Sequence, residues 1–560
     1  MNEPLVIAPL LVALFTAILT LLTRPSSRLT RAVSWLGGVA YLVAVAALFD
    51  RVVLPLSGDA ATLAYQVSDW RAPFGIVLVA DGLSSFMLGL AALVSLAALT
   101  FAVLYVDSYG QRLTFHPLYH FMMVGVSGSF LTGDVFNLFV WFEVMLMSSY
   151  ILVLFYSGPE HTRAALNYVI LNLVGSAVML VAIGGIYATT GTLNMADLAR
   201  RLMDPAAYGV DVLPVLGLAA VLFTVFALKA GLVPFQFWVP AAYQAAPAPV
   251  TAVLAGVVKK VGVYAIVRLY FTVFASATLP ASLGLPGLRG RSPLAFFGPV
   301  LFLMATASIL VGGLGAVGRD DVDELLAYSS ISQVGFIALP LAVAATAPSE
   351  SIRLLGVVAA LVYAFNHGLA KGLLFLVSGT VYSVVESTAF EDVGGLAGRA
   401  PFLAGSFLVG ALSLVGVPPL SGFFGKLLVF DVSARAYAVD AAGGALVLAV
   451  ALVGAVLTIA YYTRAWNRIF WGEPSATVEA ALPSRWTVAP DRGDAAADGG
   501  DEVRTLALTG QVVVVVAVAV AIVAFGVGFE GLYAAAQAAG HAALDTGTYV
   551  KAVSPAGVVG

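Results

Sequence analysis

The stretch LFTVFALKAGLVPFQFWVP, residues 222–240, opens as an apolar run and then places Lys229, Gly231 and Pro234 in quick succession. Its apolar residues do not alternate with polar ones, as a half-buried strand would require. Leu/Val/Ala-rich runs of similar length recur from one end of the chain to the other. At about 1.5 Å rise per residue, roughly 20 such residues cross a hydrocarbon core of about 30 Å. In that solvent every backbone N–H and C=O must be satisfied internally, so these runs are read as helices and the chain as an all-α polytopic membrane protein. Gly231 and Pro234 interrupt one such helix beside a charged side chain. The same grammar returns in LVGVPPLSGFFGK, residues 414–426, where Gly416, Pro418, Pro419 and Gly422 precede Lys426. Helix breaks are expected at Pro234 and at Pro418 and Pro419. Paired interruptions in the two halves of a membrane chain point to an ion site near the bilayer midplane.

Composition agrees with a bilayer solvent. The 560 residues are 61% hydrophobic and only 10% charged, with a mean hydropathy of +0.98. A soluble domain carries about 25% charged residues, which excludes an ordinary globular enzyme. Run lengths give about fourteen spans, near 4–22, 31–49, 84–104, 118–132, 135–156, 164–187, 213–232, 248–272, 297–317, 325–346, 354–384, 402–431, 443–470 and 505–529. The seventh and twelfth are the interrupted ones. The run 5–22 has no basic flank and no clear cleavage site, so it is expected to be the first span rather than a removed leader. With the N-terminus outside, Arg24, Arg28, Arg31, Arg112, Arg163 and Arg319 all fall on the cytoplasmic side, which holds the larger share of Lys and Arg. Both termini are then outside an inner, or cell, membrane. Between 472 and 503 the chain turns polar and acidic, with PDRGDAAADGGDEVR at 490–504, and reads as a disordered linker.

The chain has no cysteine, so a thiolate metal or iron–sulfur site is impossible, and its five histidines (His116, His120, His161, His367 and His541) are scattered. No cofactor and no metal are expected. A net charge of -4 does not call for a nucleic-acid partner.

Ionisable residues at membrane depth cost about 2.5–3.5 kcal/mol each on insertion scales and are functional candidates by default. Glu143 lies mid-way in the fifth span, in FNLFVWFEVMLMSSY, and Lys229 in the seventh. Lys259 and Lys260 lie in LAGVVKKVGVYAIVR of the eighth, His367 and Lys371 in VYAFNHGLAKGLLFL of the eleventh, and Lys426 in the twelfth. The set is lopsided, with one acid and several bases. An amine in hydrocarbon trades its proton more readily than one in water, and a carboxylate moving toward or away from it changes its proton affinity. That is the elementary step of a proton pump or antiporter. Adjacent Lys259 and Lys260 point about 100° apart on a helix; Lys260 is taken for the path and Lys259 is left open. His367 and Lys371, four apart, share a face. The competing reading makes each charge half of a structural interhelical ion pair. Arg268 is read as an anchor snorkelling to an interface, His116 and His120 as inert residues near one, and Asp134 as a helix cap.

These residues resemble the antiporter-like proteins of respiratory complex I and of Mrp-type multisubunit Na+/H+ antiporters, over nearly the whole chain, and most closely the Mrp D-type proteins. The resemblance is carried by WRAPFGIVLVADGLS at 70–84, FLTGDVFNLFVWFEVMLMSSY at 130–150, KAGLVPFQFWVPAAYQAAPAPVTAVLAG at 229–256 and ALDTGTYVKAV at 543–553. It implies fourteen helices: three N-terminal ones over 1–117, two inverted five-helix repeats over 118–275 and 276–472, and after the linker at 473–504 a last helix and tail over 505–560. It implies that Glu143 and Lys229 form a charge pair, that Lys260 is the central relay, and that Lys371 with His367 bridges to Lys426 as the terminal exchange site. Implied partners are the other Mrp-type membrane subunits, H+, Na+ and the bilayer. The resemblance makes the chain a proton-translocating subunit rather than an enzyme; a pumping subunit of a redox-driven complex is the alternative. Departures from the pattern are Gln236, the run Ala241-Ala242-Tyr243, the acids Asp323 and Glu324 after Asp321, and Ser329 where the D-type proteins often carry histidine.

Overall fold

The chain is described by a computed structural model covering residues 3–54, 60–280, 288–439, 443–482 and 499–553. Among the described residues, eleven helices are long and apolar enough to cross a membrane. In chain order the elements that matter below are α1 (Ala8–Thr23), α2 (Ser27–Val52), α3 (Gly82–Tyr105), α4 (Phe115–Leu131), α5 (Val135–Val153), α6 (Pro159–Thr190), α7 (Val212–Ala230), α8 (Trp238–Ala245), α9 (Ala248–Ser276), α10 (Leu294–Val317), α11 (Val322–Thr346), α12 (Glu350–Val385), α13 (Pro401–Val415), α14 (Ser421–Ala438), α15 (Gly444–Ile469), α16 (Gly499–Val527), α17 (Phe529–Leu544) and α18 (Thr546–Val553).

Helix starts follow capping chemistry. Asp81 and Ser84 form a reciprocal capping box at α3, each side chain accepting the other's backbone N–H at 2.9 Å. Asp134, Asp321 and Ser349 accept N–H groups at the starts of α5, α11 and α12. The outer helices turn large apolar side chains outward, among them Leu22, Val181, Leu303 and Val456. Such faces have no place in water and are matched by lipid tails. The enclosed spans are α9, α11 and α12, with 100%, 94% and 89% of their apolar windows inside the protein. The buried charges lie on or against these three.

Both expected interruptions are present. α7 stops at Ala230, Gly231 takes φ +70°, and helix resumes only at Trp238. α13 stops at Val415, Gly416 takes φ +94°, and α14 resumes at Ser421. A left-handed residue past the last turn suits glycine, which has no Cβ to clash. Both breaks are held by side chains of neighbouring segments. At the first, Ser308 of α10 accepts the Val233 N–H at 2.9 Å, and Trp238 Nε1 donates to the Leu228 carbonyl at 2.9 Å. At the second, Asn366 of α12 accepts both Ser413 and Ser421 hydroxyls, at 2.6 and 2.8 Å, and so ties the two sides of the break together.

Three features escaped an apolar-run reading. A short antiparallel hairpin, β1 (Leu63–Gln66) on β2 (Val77–Ala80), leads into α3. Helices α17 and α18 follow the last expected span and pack back on α3 and α9. The start of the expected linker is ordered: Ser475 caps a short helix, Ala476–Ala481, and donates to the Asp392 carbonyl at 2.5 Å. Residues 483–498, the heart of that linker, lie outside the described residues.

Candidate functional site: a line of buried amines

The chain contains six lysines, and five of them (Lys229, Lys259, Lys260, Lys371 and Lys426) are at most 3% exposed. Among the described residues none of the five has a carboxylate within ion-pair distance, and every ion pair found uses an arginine. Arginine holds its proton under all ordinary conditions, whereas lysine yields one when its surroundings change. The positive charge that must stay is carried by arginine.

Lys229 sits on the last turn of α7, just before the first break. Its Nζ donates to Ser176 Oγ of α6 at 3.3 Å, and Ser176 in turn donates to the half-buried Glu143 carboxylate of α5. The expected Glu143–Lys229 pair is therefore not a direct one, because a serine hydroxyl stands between acid and amine. Ser176 left no mark in the sequence beyond being polar in an apolar span.

Close helix crossings bring the next two amines into line. Gly262 of α9 lies against the backbone of α7, so that a Cβ there would meet Ala230 N at 2.6 Å. This contact sets Lys259 beside the first break, with its Nζ 3.2 Å from where a side chain on Gly231 would start. Lys259 also donates to the Ser330 carbonyl of α11 at 3.3 Å and lies over the Tyr243 ring at 5.8 Å. One turn earlier, Gly256 of α9 and Gly368 of α12 touch: a Cβ on either would meet the other's carbonyl at 2.9 or 2.8 Å. Small residues permit such an approach in membrane bundles, and it presses Lys260 against His367. Lys260 Nζ lies 2.6 Å from His367 Nδ1 and donates to the Ala255 carbonyl at 2.5 Å. Residues 254–258 form a widened turn with i→i+5 bonding, a feature frequent at functional sites.

His367 and Lys371 share a face of α12, as their spacing requires, but serve different neighbours. Lys371 donates to Ser329 Oγ at 2.7 Å, the Leu326 carbonyl at 2.8 Å and Tyr462 OH at 3.3 Å. Among the described residues it has no hydrogen bond to Lys426. From Ser329 a hydrogen-bonded chain runs toward Lys426 and stops at Tyr363, which lies against Gly425: Ser329 donates to Tyr461 at 3.2 Å, Gln333 Nε2 to Tyr461 at 2.6 Å, and Tyr363 to Gln333 Oε1. Among the described residues Lys426 has no hydrogen-bond partner, and its Nζ rests 4.9 Å from the centre of the Phe336 ring. Ser329 stands where a histidine was expected and still receives the lysine. The tyrosines and Gln333 carry no charge, so nothing in the sequence set them apart from core residues.

Two readings are corrected. Arg268 does not snorkel: it is 1% exposed, and its Nη2 donates to both oxygens of Asp81 at 2.6 Å, with Tyr549 4.7 Å from the guanidinium. The Asp81 carboxylate cancels the charge, Nε donates to Tyr264 OH at 3.3 Å, and the pairing makes burial tolerable. His116 and His120 are buried too, both 2.8 Å from Ser34 Oγ. Lys259, left open above, lies beside the first break. Asp134 does cap α5, accepting the Asn137 N–H at 2.8 Å.

Residues 132–458 match the family described as NADH:quinone oxidoreductase/Mrp antiporter, TM. The D-type subunit of the Na(+)/H(+) antiporter of Alkalihalophilus pseudofirmus is 37% identical over 74% of this chain and 78% of its own. Its counterpart in Bacillus subtilis is 31% identical over 84% and 88%. Among solved structures, a chain of the Mrp complex from Dietzia sp. DQ12-45-1b superposes with a TM-score of 0.80 at 28% identity, covering 98% of both chains. The chain belongs to the NADH:quinone oxidoreductase/Mrp antiporter membrane family and is a relative of its D-type antiporter proteins.

Proposed function

We propose that this chain is the D-type subunit of a multisubunit monovalent cation/proton antiporter and that protons cross it along the line of buried amines. The reading counts α1, α4 and the α13–α14 pair as spans beside the eleven long helices, giving fourteen with both termini outside the cell membrane, and two inverted repeats around the breaks. Protons load and leave Lys229, Lys260, Lys371 and Lys426 in turn. Glu143 acts through Ser176 to raise or release the first amine's hold on its proton. His367 passes charge to and from Lys260. Na+ is the coupled cation, and partner subunits complete its route. The carrying observation is that five of the six lysines are buried without an ion-paired carboxylate. Two D-type antiporter proteins among the relatives favour this over service in a redox-driven complex.

The test is Na+-driven proton movement in everted vesicles holding the whole complex. Glu143→Ala, Lys229→Ala and Lys426→Ala should each assemble and each lose transport. Undiminished transport in all three would refute the axis. Equal loss of assembly and transport would leave only a scaffold.

A further inference from the structure

Between α2, α3, α12 and α16 a cleft of about 360 Å3 opens from the side of the bundle. Among the described residues that line it, Thr100 alone is polar. Leu369, Gly372 and Val518 form a buried floor, while Val513 and Ala517 stand exposed at the rim. All four helices are long and apolar enough to cross a membrane, so the rim meets lipid rather than water. A void there would deprive its walls of dispersion contacts on one side.

The shape of the cleft selects its occupant. α16 lines it from Val513 to Phe525, twelve residues or about 18 Å of rise. That is close to the depth of one leaflet in a hydrocarbon core of about 30 Å. The deep end is shut by rings: Phe525 meets Phe365 at 4.9 Å, and Phe365 meets Phe86 at 5.7 Å. Phe365 sits near the middle of the 36-residue α12, so the cleft stops half-way through the membrane. A partner helix, about 10 Å across and continuous through both leaflets, has no such shape. A single acyl chain does. The other end is basic. Thr100, five residues before the end of α3, accepts the N–H of the exposed Trp35 at 3.2 Å, and tryptophan favours the membrane–water interface. One turn before Trp35, Arg31 reaches past the end of α3 to Ser108 Oγ at 3.2 Å and to Gln111. The turn 24–31 holds Arg24, Arg28 and Arg31 and no acid, and Arg112 is exposed on the Ser108–Leu113 helix that Arg31 touches. Asp107 is turned onto N–H groups of that helix as its cap.

We propose that this cleft is a binding site for one anionic phospholipid, with its headgroup phosphate at Arg28 and Arg31 and one acyl chain laid along α3 and α16 as far as the phenylalanines. The site goes beyond the antiporter reading and does not depend on it. The seated chain backs a helix crossing. Val94 of the cleft wall is what a Cβ on Gly256 would meet at 2.8 Å and a Cβ on Gly372 at 3.4 Å. Lipid behind Val94 therefore supports the contact of α9 with α12 that sets Lys260 against His367.

The assembled complex is placed in nanodiscs containing phosphatidylglycerol or phosphatidylcholine with a photoactivatable diazirine on one acyl chain, irradiated, and mapped by peptide mass spectrometry. Adducts should form on Leu96 and Ala97 inside the cleft, about fivefold more with phosphatidylglycerol, the preference that one arginine gives at a membrane surface. Ala517→Trp and Ala521→Phe each fill the cleft from α16 and should remove the α3 adducts while those on the outward Leu303 stay; either variant serves if the other fails to assemble. Arg28→Gln together with Arg31→Gln should erase the difference between the two lipids. Unchanged α3 adducts in the filled variants overturn the site. So does an unmodified complex labelled at Leu303 but not on α3, a result that would give the cleft to a neighbouring subunit. Equal labelling of the unmodified complex by both lipids overturns the arginine contact.

Discussion

One helix, α9, buries charge in two opposite ways. Near its end, Arg268 is locked to Asp81 by both carboxylate oxygens, braced by Tyr264 and covered by Tyr549. Two turns earlier, Lys259 and Lys260 are as deeply buried but meet only carbonyls, a histidine and a ring. The first arrangement cancels charge and fixes structure. The second leaves positive charge without a carboxylate beside it. Residue type follows the same division, with arginine where the proton must stay and lysine where it can go.

Substitutions can break this contrast. The largest effect on stability is expected from Asp81→Asn, which strands a buried guanidinium and should cost about 3–5 kcal/mol in thermal or denaturant unfolding of the purified complex. Lys260→Met should do the reverse: removing an uncompensated amine should leave stability unchanged or raise it by up to about 2 kcal/mol, while proton transport is lost. If Lys260→Met unfolds the complex as Asp81→Asn does, the two ends of α9 are not different in kind. Asn366→Ala tests the polar groups that hold a break rather than conduct. It removes the acceptor of Ser413 and Ser421 and should lower stability by about 1.5 kcal/mol in the same unfolding assay. The smallest effect belongs to Ser176→Ala. Losing the hydroxyl between Glu143 and Lys229 should slow transport about fivefold without harming assembly, measured as initial rates in vesicles.

Much of this was legible from residue order. Apolar run length gave the helices, and Gly231, Pro234, Gly416, Pro418 and Pro419 gave both interruptions, because these are local backbone constraints. The residues bearing charge were legible as well, since a charge stands out in an apolar run, although whether it is paired does not. Partners were not. A sequence shows Glu143 and Lys229 but not the hydroxyl that sits between them, and a neutral serine or tyrosine inside a membrane helix looks like any other core residue. Arg268 was misread because its distance from the end of a run says nothing about Asp81, 187 residues away.

Residue order by itself determined that this protein lives in a bilayer, where its helices break, and that it carries too many bases for its acids at membrane depth. Each of these follows from the covalent chain and the cost of exposing polar groups to hydrocarbon. Tertiary structure alone decided which charges are cancelled and which are left over. That depends on glycine-to-glycine crossings such as 256 on 368, which set amines from distant segments within hydrogen-bond reach. Proton affinity is fixed by whatever stands a few ångströms away, and no local stretch of sequence specifies that neighbour.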